Sequence, residues 1–353
     1  MRTMLWWGRF DPDYSRNRIL RLLLPGLGWR IVDFHPAISG MADLEAWLRR
    51  LPKPDLVWVP CFRQRDLAAA RRWSRARGIP LVFDPLISAY DKQVCERAKF
   101  SPASREARRL HEWEQKLLQS ADIILADTPL HADYFAREFG LDPARLKVVY
   151  VGAEEPLFHP APMPEHSDGR VIEVLFYGSF IDLQGPEVIV EAAERYQGPP
   201  VRWVLLGEGP LRNLCKEKAR GLANVAFEDW LPYTQLPERI HRADILLGVF
   251  GSSAKASRVI PNKVFQSLAC GRPVITRSSA AYPARLVDRP QSGMVWVEAG
   301  NAQQLANAVA SLASRRVELA ELGERASFAY RECFSNEVVM AQLGKTLSML
   351  PQR

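Results

Sequence analysis

"LGVFGSSAKASRVIPNKVFQSLACGRPVIT", residues 247–276, leaves an apolar strand-like end, crosses a loop of small and cationic residues, enters a helical pattern and emerges in a second β-branched run. Strand, glycine-bearing loop, helix and strand make one unit of a parallel sheet, because parallel neighbours need a crossover long enough to be a helix. The helix opening after Pro261 offers unpaired backbone N–H groups and the positive end of its dipole, with Lys255, Arg258 and Lys263 close by in sequence. Such a start suits an anion or a polar ligand.

The same alternation extends in both directions. Toward the N-terminus, TMLWW, WRIVDF, DLVWVP, PLVFD, DIILAD and LKVVYV are strand candidates, with amphipathic stretches at 16–24, 66–77, 106–120 and 130–139. "EPLFHPAPMPEHSDGR", residues 155–170, carries four prolines, two histidines and no periodicity, and reads as a linker. Beyond it VIEVLFYG, VRWVLLG, ANVAFED, ADILLGVF, RPVITR and GMVWVEAG are strands, with helices at 187–195, 211–220, 236–242, 262–269, 302–312 and beyond 317. The expectation is an α/β protein of two doubly wound Rossmann-like parallel-sheet domains facing a cleft: 1–158, a linker at 159–170, and 171–334. Strand C-termini and helix N-termini of both domains would line the cleft.

Composition agrees with a globular chain: 47% of residues are hydrophobic and 25% charged, and 353 residues suit two domains. No apolar run approaches the roughly 20 residues of a membrane-spanning helix. The N-terminal MLWWG is interrupted by Arg9 and Asp11, which argues against a signal peptide and for a cytoplasmic protein. Cys61, Cys95, Cys215, Cys270 and Cys333 are scattered and odd in number, so neither a disulfide framework nor a zinc site is expected. The net charge of +7 is uneven: residues 49–109 hold fifteen Lys or Arg against six Asp or Glu.

Three loops of the second domain follow strands. They are Gly178-Ser179-Phe180-Ile181-Asp182-Leu183-Gln184-Gly185, Gly207-Glu208-Gly209-Pro210, and the loop through Gly251, Ser252 and Ser253 to Asn262. Glycines in such places let backbone N–H groups approach a phosphate, although glycines after strands also simply make turns.

In order and spacing, "VLFYGSFIDLQGPEVIVEAAERY", "VLLGEGPLRNLCKEKA", "NVAFEDWLPYTQLPERIHRADILLGVFG", "PNKVFQSLACGRPVIT" and "AGNAQQLANAVASLAS" resemble the C-terminal domain of the family 4 retaining glycosyltransferases of GT-B fold. "LKVVYVGAEEPLFHP" resembles, more loosely, that family's passage into its linker. A subset of the family, with a Gly-Ser/Thr-Phe first loop and a Lys-Ala-x-Arg-Val-Ile-Pro-Asn-Lys third loop, is still more similar. The resemblance implies a retaining transferase that moves a sugar from a nucleotide diphosphate sugar to an acceptor hydroxyl, with no dedicated nucleophile, no metal and no cofactor. It places the base against Trp230, Leu231 and Tyr233, the donor sugar near Gly251 and Ser252, and a C-terminal helix, 335–353, back on the first domain.

This chain departs from the family pattern where phosphate is usually clamped. The Arg and Lys of the first loop are here Ser179 and Gln184, and the two usual Glu of the third loop are Arg258 and Gln266. A leaving diphosphate needs cations aimed at its developing charge. Lys255, Arg258 and Lys263 are the replacements the sequence offers, with Gln266 as a neutral ribose ligand; the competing reading makes Lys255 and Arg258 solvated and Lys263 a packing stem.

In the first domain, Gly8, Arg9, Arg16 and Asn17 follow the first strand and are expected on the acceptor side, with Tyr14 beside them. Asp11 and Asp13 form a DxD, discounted as a metal site because proline stiffens it and the fold does not require a metal. Asp84, at the end of PLVFD, either orients or deprotonates an acceptor hydroxyl, or caps the next turn. His35 also ends a strand, whereas His111, His131 and His241 lie in helical patterns and read as structural or solvated. Arg71, Arg72, Arg75 and Arg77 flank Trp73 in "AAARRWSRAR". That segment suits either an anionic membrane surface, where a lipid-linked acceptor would lie, or a solvated face. No nucleic-acid module is present. The expected roles are cell-surface polysaccharide, lipopolysaccharide or glycolipid synthesis with a carbohydrate or lipid-linked acceptor, at the membrane's cytoplasmic face. The alternatives are a non-catalytic nucleotide-sugar-binding partner, or a sugar-nucleotide epimerase, which would want carboxylates where Arg258 and Gln266 stand.

Overall fold

The computed structural model describes residues 1–164, 170–289 and 292–350. Residues 165–169 of the expected linker and 351–353 of the expected C-terminal helix lie outside the described residues.

The chain divides into two compact units, Met1–Val151 with Asn336–Arg353, and Gly152–Ser335. In the first, β1 (Arg2–Trp7), β2 (Trp29–Phe34), β3 (Leu56–Val59), β4 (Leu81–Phe83), β5 (Ile123–Ala126) and β6 (Leu146–Val148) form one parallel sheet in the order β2-β1-β3-β4-β5-β6. The helices between them are α1 (Ser15–Leu23), α2 (Ala42–Leu48), α3 (Gln64–Ala76), α4 (Arg105–Leu118) and α5 (Pro129–Phe139). Strands β3, β4 and β5 are buried at every position, as parallel strands covered on both faces must be.

The second unit repeats the plan. Its strands are β7 (Ile172–Tyr177), β8 (Val201–Leu206), β9 (Val225–Glu228), β10 (Ile245–Leu247), β11 (Val274–Arg277) and β12 (Met294–Val297). Its helices are α6 (Pro186–Arg195), α7 (Arg212–Lys218), α8 (Leu236–His241), α9 (Asn262–Ala269), α10 (Ala284–Val287), α11 (Ala302–Ser314) and α12 (Leu319–Phe334). The sheet is parallel in the order β12-β11-β10-β7-β8-β9, so the strand order reverses between β7 and β10. Ligands of open α/β sheets bind beyond the strand C-termini at that reversal.

Helix α13 (Asn336–Ser348) belongs to the first unit. Gln342 Oε1 accepts from the Tyr150 N–H at 3.0 Å. The unit boundary falls between Val151 and Gly152, ahead of the expected 158, because residues beyond it are tied into the second unit. Arg272, fully buried, donates to the carbonyls of Ala161 and Pro162 at 2.8 and 2.9 Å, and to those of His241 and Ala243.

Each unit has its own core. Trp7, Val57, Val59, Leu81, Phe83, Phe135 and Phe139 pack in the first, and Ile172, Val174, Phe176, Phe180, Trp203, Leu305 and Val309 in the second. Trp73 is part of the first core and only 2% exposed. Arg71 pairs with Asp122, Arg72 with Asp43, and Arg77 covers the Trp73 ring. The indole thus faces the sheet and three of the arginines are held by neighbours, so of the two readings of the 68–77 segment the membrane surface loses its aromatic residue. Four of the five cysteines are buried, Cys95 being exposed. No described helix is long and apolar enough to cross a membrane.

Candidate functional site

The strand-end loops of the second unit interlock through their backbones. Gly178 N–H donates to Leu206 O at 3.0 Å, Phe180 N–H to Glu208 O at 2.8 Å, and Phe250 N–H to Gln184 O at 3.0 Å. Contact between the first two loops is too close for side chains: a Cβ at Gly207, φ +126°, would lie 2.1 Å from the Gly178 oxygen. Gly209 approaches Phe180 and Gly251 approaches the 182–183 carbonyls in the same way. Glycine is required here for packing between loops as much as for access to a ligand.

Helix α9 leaves this assembly from beside the reversal of strand order. Its second residue, Lys263, is 5% exposed, and its ammonium has no hydrogen-bond partner. Lys263 Nζ stands 3.6 Å from the centroid of the Phe176 ring, and a Cβ on Gly178 would be 3.2 Å from it. Burial pulls the amine's pKa well below the ordinary lysine range. An aromatic face returns only about 0.5–2 kcal/mol to a cation, whereas an unpaired buried charge costs several, so burial dominates. The first and third loops thus bring a desolvated amine to the end of β7. An anion entering there would supply the partner the fold withholds.

The other predicted residues fare differently. Gln266 is buried, its Oε1 lies 3.0 Å from the Tyr177 hydroxyl, and its Nε2 donates to the Tyr233 hydroxyl at 3.3 Å. Both ends of the amide brace the helix against its own unit, so the geometry does not favour the ribose role. Lys255 is buried and Arg258 half-buried, and both are engaged within the fold, which does not fit the solvated-loop reading. Asn262 opens α9 and is half-buried; Ser179 and Ser252 are exposed on their loops, and Leu231 is half-buried. Trp230 is 65% exposed, so its ring is not packed into the core. Tyr233 packs edge-on to Phe158 at 5.4 Å. Arg277, at the end of β11, was not singled out from the sequence; its Nη1 donates to Gly251 O at 2.7 Å and fixes the third loop. The signal was present as a cation closing RPVITR, where a strand end meets the loops.

In the first unit Arg16 and Asp84 find each other. Arg16 is fully buried, Nε donates to Asp84 Oδ2 at 2.9 Å, and Nη1 donates to Val149 O and Tyr150 O, both at 2.9 Å. Burial pushes the Asp84 carboxyl's pKa up, and the guanidinium opposes it. These two residues lock α1 to the ends of β4 and β6, and in this arrangement neither is presented to an acceptor. Asn17 donates to Asp11 O at 2.7 Å and accepts from Cys61 Sγ at 3.2 Å. Gly8 is buried at φ +131°, and its carbonyl oxygen lies 3.0 Å from His35 Nδ1. Asp13 N–H donates to Asp11 Oδ1 at 2.9 Å, and no group of metal-binding side chains occurs among the described residues. His131 pairs with Asp127, His111 with Glu138, and His241 lies against the His159 carbonyl.

Arg9, of the expected acceptor-side set, is exposed and lines a cavity of about 1000 Å³ with Arg63, Gln64, Arg65, Ser39, Phe62 and Trp113. Its wall is built from the loops after β1, β2, β3 and β4 and from α4, which carries Trp113. Phe62 holds φ +63° there, an uncommon conformation for an aromatic residue.

Two family models match the chain: "Glycosyl transferases group 1" over residues 172–315 and "Glycosyl transferase 4-like domain" over 7–152. Between them they cover most of the sequence. Each half of the chain is thus matched, in order, by a glycosyltransferase model. The chain is 28% identical over 277 residues to a D-inositol 3-phosphate glycosyltransferase of Rhodococcus erythropolis, covering 73% of this chain and 59% of that protein. The enzyme of the same name from Mycobacteroides abscessus is 27% identical, over 72% and 56%. The chain therefore spans little more than half the length of those curated relatives. Among solved structures it is similar to Anabaena Alr3699/HepE in complex with UDP, with TM-score 0.72, 15% identity, and 99% and 100% of the two chains covered. Sucrose-phosphate synthase from Thermosynechococcus elongatus gives TM-score 0.72 at 17% identity over 98% of each chain. The fold is GT-B.

Proposed function

We propose that the chain transfers a sugar from a nucleoside diphosphate sugar to an acceptor hydroxyl, with retention of configuration and without a metal. The observation that carries this reading is Lys263: a buried amine with no hydrogen-bond partner, at the C-terminal end of β7, between a glycine loop and a helix N-terminus. A diphosphate bound there takes the ammonium's charge and the N-terminal N–H groups of α9 together. Lys255 and Arg258 add charge to the same loop, in place of the first-loop cations this chain lacks. Rate enhancement then comes from stabilising the departing diphosphate and from positioning, with no protein nucleophile. Exposed Trp230 offers a face to the base, and Gly251 and Ser252 offer backbone and hydroxyl groups to the sugar.

Neighbouring structures described as holding UDP and UDP-glucose support a uridine nucleotide as the first donor to try. Similarity to D-inositol 3-phosphate glycosyltransferases supports a polar, hydroxyl-rich acceptor, received by the strand-end loops of the first unit. The wider role we infer is synthesis of cell-surface polysaccharide, lipopolysaccharide or glycolipid at the cytoplasmic face of the membrane.

The test is thermal denaturation with UDP, GDP, ADP and dTDP, each with magnesium and with EDTA, since a ligand that binds only the native state raises Tm with its affinity. One diphosphate stabilising equally with EDTA is the expected outcome. Stabilisation by none of them, or only with magnesium, overturns the reading.

A further inference from the structure

The cavity of the first unit is rich in hydrogen-bond donors and poor in acceptors. Arg9, Arg63, Gln64 and Arg65 line it, and no Asp or Glu does. Arg63 is already engaged: Nε donates to Asp66 Oδ2 at 2.5 Å and Nη2 to Ser39 Oγ at 3.4 Å. Arg9 and Arg65 are exposed and have no carboxylate partner among the described residues. A subsite for a neutral sugar needs acceptors as well as donors, because each hydroxyl has a hydrogen to donate. The group this lining suits is itself an acceptor: a carboxylate or a phosphate, which a guanidinium can meet with two parallel bonds.

The same wall holds two aromatic faces. Phe62 and Trp113 are 36 and 37% exposed, and flat apolar surfaces of this kind suit the C–H face of a sugar ring. Phe62 keeps its φ of +63° with Tyr14 edge-on at 4.9 Å, a conformation that persists only where the surroundings enforce it. The wall is also fixed from behind. Glu114 of α4, fully buried, accepts from Ser88 Oγ and from the Ala89 and Tyr90 N–H groups, each at 2.7 Å. Its carboxylate ties the Ala89 side of the cavity to the helix that carries Trp113. On that helix Arg105 and Arg109 precede Trp113 at four-residue intervals and share its face. Both are exposed and have no carboxylate partner among the described residues. Glu106 and Glu112 stand about 100° round the helix from this row. Successive positions in the row are about 6 Å apart along the axis, close to the length of one sugar unit in a chain.

We propose that the cavity and the Arg105–Arg109 row bind an acidic oligosaccharide, its sugars bearing carboxylates or phosphates, as the acceptor chain. Its end sugar lies against Phe62 and Trp113 with the charge on Arg9 and Arg65, and the following sugars run along α4. As an acceptor this ligand rests on the transfer reading; as a ligand it does not. A bilayer fits less well, because the row of arginines carries no large apolar residue to enter it.

Calorimetric titration of the full chain tests the proposal, with a trimer of galacturonic acid, the methyl ester of that trimer, a glucose trimer joined through phosphodiesters, and inorganic tripolyphosphate. At least one charged trimer is expected to bind, with an affinity that falls as salt rises. Binding of one identifies the anion, and binding of both supports the shared chemistry. The ester should bind about tenfold more weakly than its parent acid. Arg9→Gln/Arg65→Gln should abolish binding and Arg105→Gln/Arg109→Gln should lower it severalfold, both with Tm unchanged because all four side chains are in water. The proposal is overturned if neither charged trimer binds, if the ester binds as well as the acid, if tripolyphosphate binds as well as the saccharides, or if the variants bind like the parent. It also falls if the trimers fail and Arg105→Gln/Arg109→Gln instead abolishes sedimentation with phosphatidylglycerol vesicles. UDP titrated into the same protein reads the donor site separately: a charged trimer bound without UDP binding overturns the transfer reading and supports the anion-binding cavity.

Discussion

Each unit buries a cation at the C-terminal edge of its sheet, and the two cations are treated in opposite ways. Arg16 donates to Asp84 and to two carbonyls, leaving little of its guanidinium unsatisfied. Lys263 is buried to a similar degree and is given an aromatic ring and no hydrogen-bond partner. A buried charge whose partners are all internal belongs to the architecture. One whose partners are missing raises the free energy of the empty protein and lowers it when an anion arrives. Within one fold Arg16 and Asp84 thus satisfy each other, while Lys263 is the residue on which the proposed donor site rests.

The largest effect should come from breaking the internal pair. Arg16→Met leaves the Asp84 carboxylate buried without its partner and should cost about 3–5 kcal/mol, measured as a lower urea midpoint at unchanged m. Adding Asp84→Leu should recover much of that loss. A single Arg16→Met with normal stability would mean that the pair is not the lock described.

Lys263→Met should do the reverse. Stability should hold or rise because an unpartnered amine is removed, while turnover falls roughly 10²–10³-fold, as for loss of one group stabilising a developing anion. Nucleoside diphosphate affinity should fall with it, and nucleoside affinity should not. Equal losses for diphosphate and nucleoside would place the phosphates elsewhere.

The same residue gives a smaller, signed effect of pH. Its folded pKa lies below its unfolded value, so between the two the unfolded chain binds more protons and stability rises with pH. That rise should extend toward the ordinary lysine pKa of about 10.4 and vanish in Lys263→Met. Diphosphate binding, by favouring the charged amine, should take up a proton in alkaline buffer, which calorimetry in two buffers of different ionisation enthalpy reads directly.

Trp230→Ala is the mildest change. Its ring is already in water, so stability should move by less than about 0.5 kcal/mol, while loss of base stacking should weaken nucleotide binding by about 0.5–1.5 kcal/mol. No change in affinity would remove Trp230 from the donor site.

Twelve strands could be read from the sequence because buried parallel strands are short β-branched or aromatic runs ended by glycine, proline or aspartate. Helix α2 could not, because its large apolar residues point outward and its inward positions are alanines, so the usual stripe does not mark its core face. The same inversion affected the basic segment: "AAARRWSRAR" looked like a membrane face because Trp73 stands among arginines, and only packing shows that the indole belongs to the core and that Arg71 and Arg72 reach Asp122 and Asp43 across the fold.

Local patterning determined the two-sheet plan, the glycine loops at the strand ends and the helix that begins at Asn262, since each depends on neighbours within a few residues. Tertiary structure alone decided that Arg16 closes on Asp84, 68 residues away, that Gln266 braces Tyr177 and Tyr233, and that Lys263 meets an aromatic ring and no hydrogen-bond partner. Whether a charge is satisfied depends on what the rest of the chain brings within about 3 Å, and no local pattern carries that information.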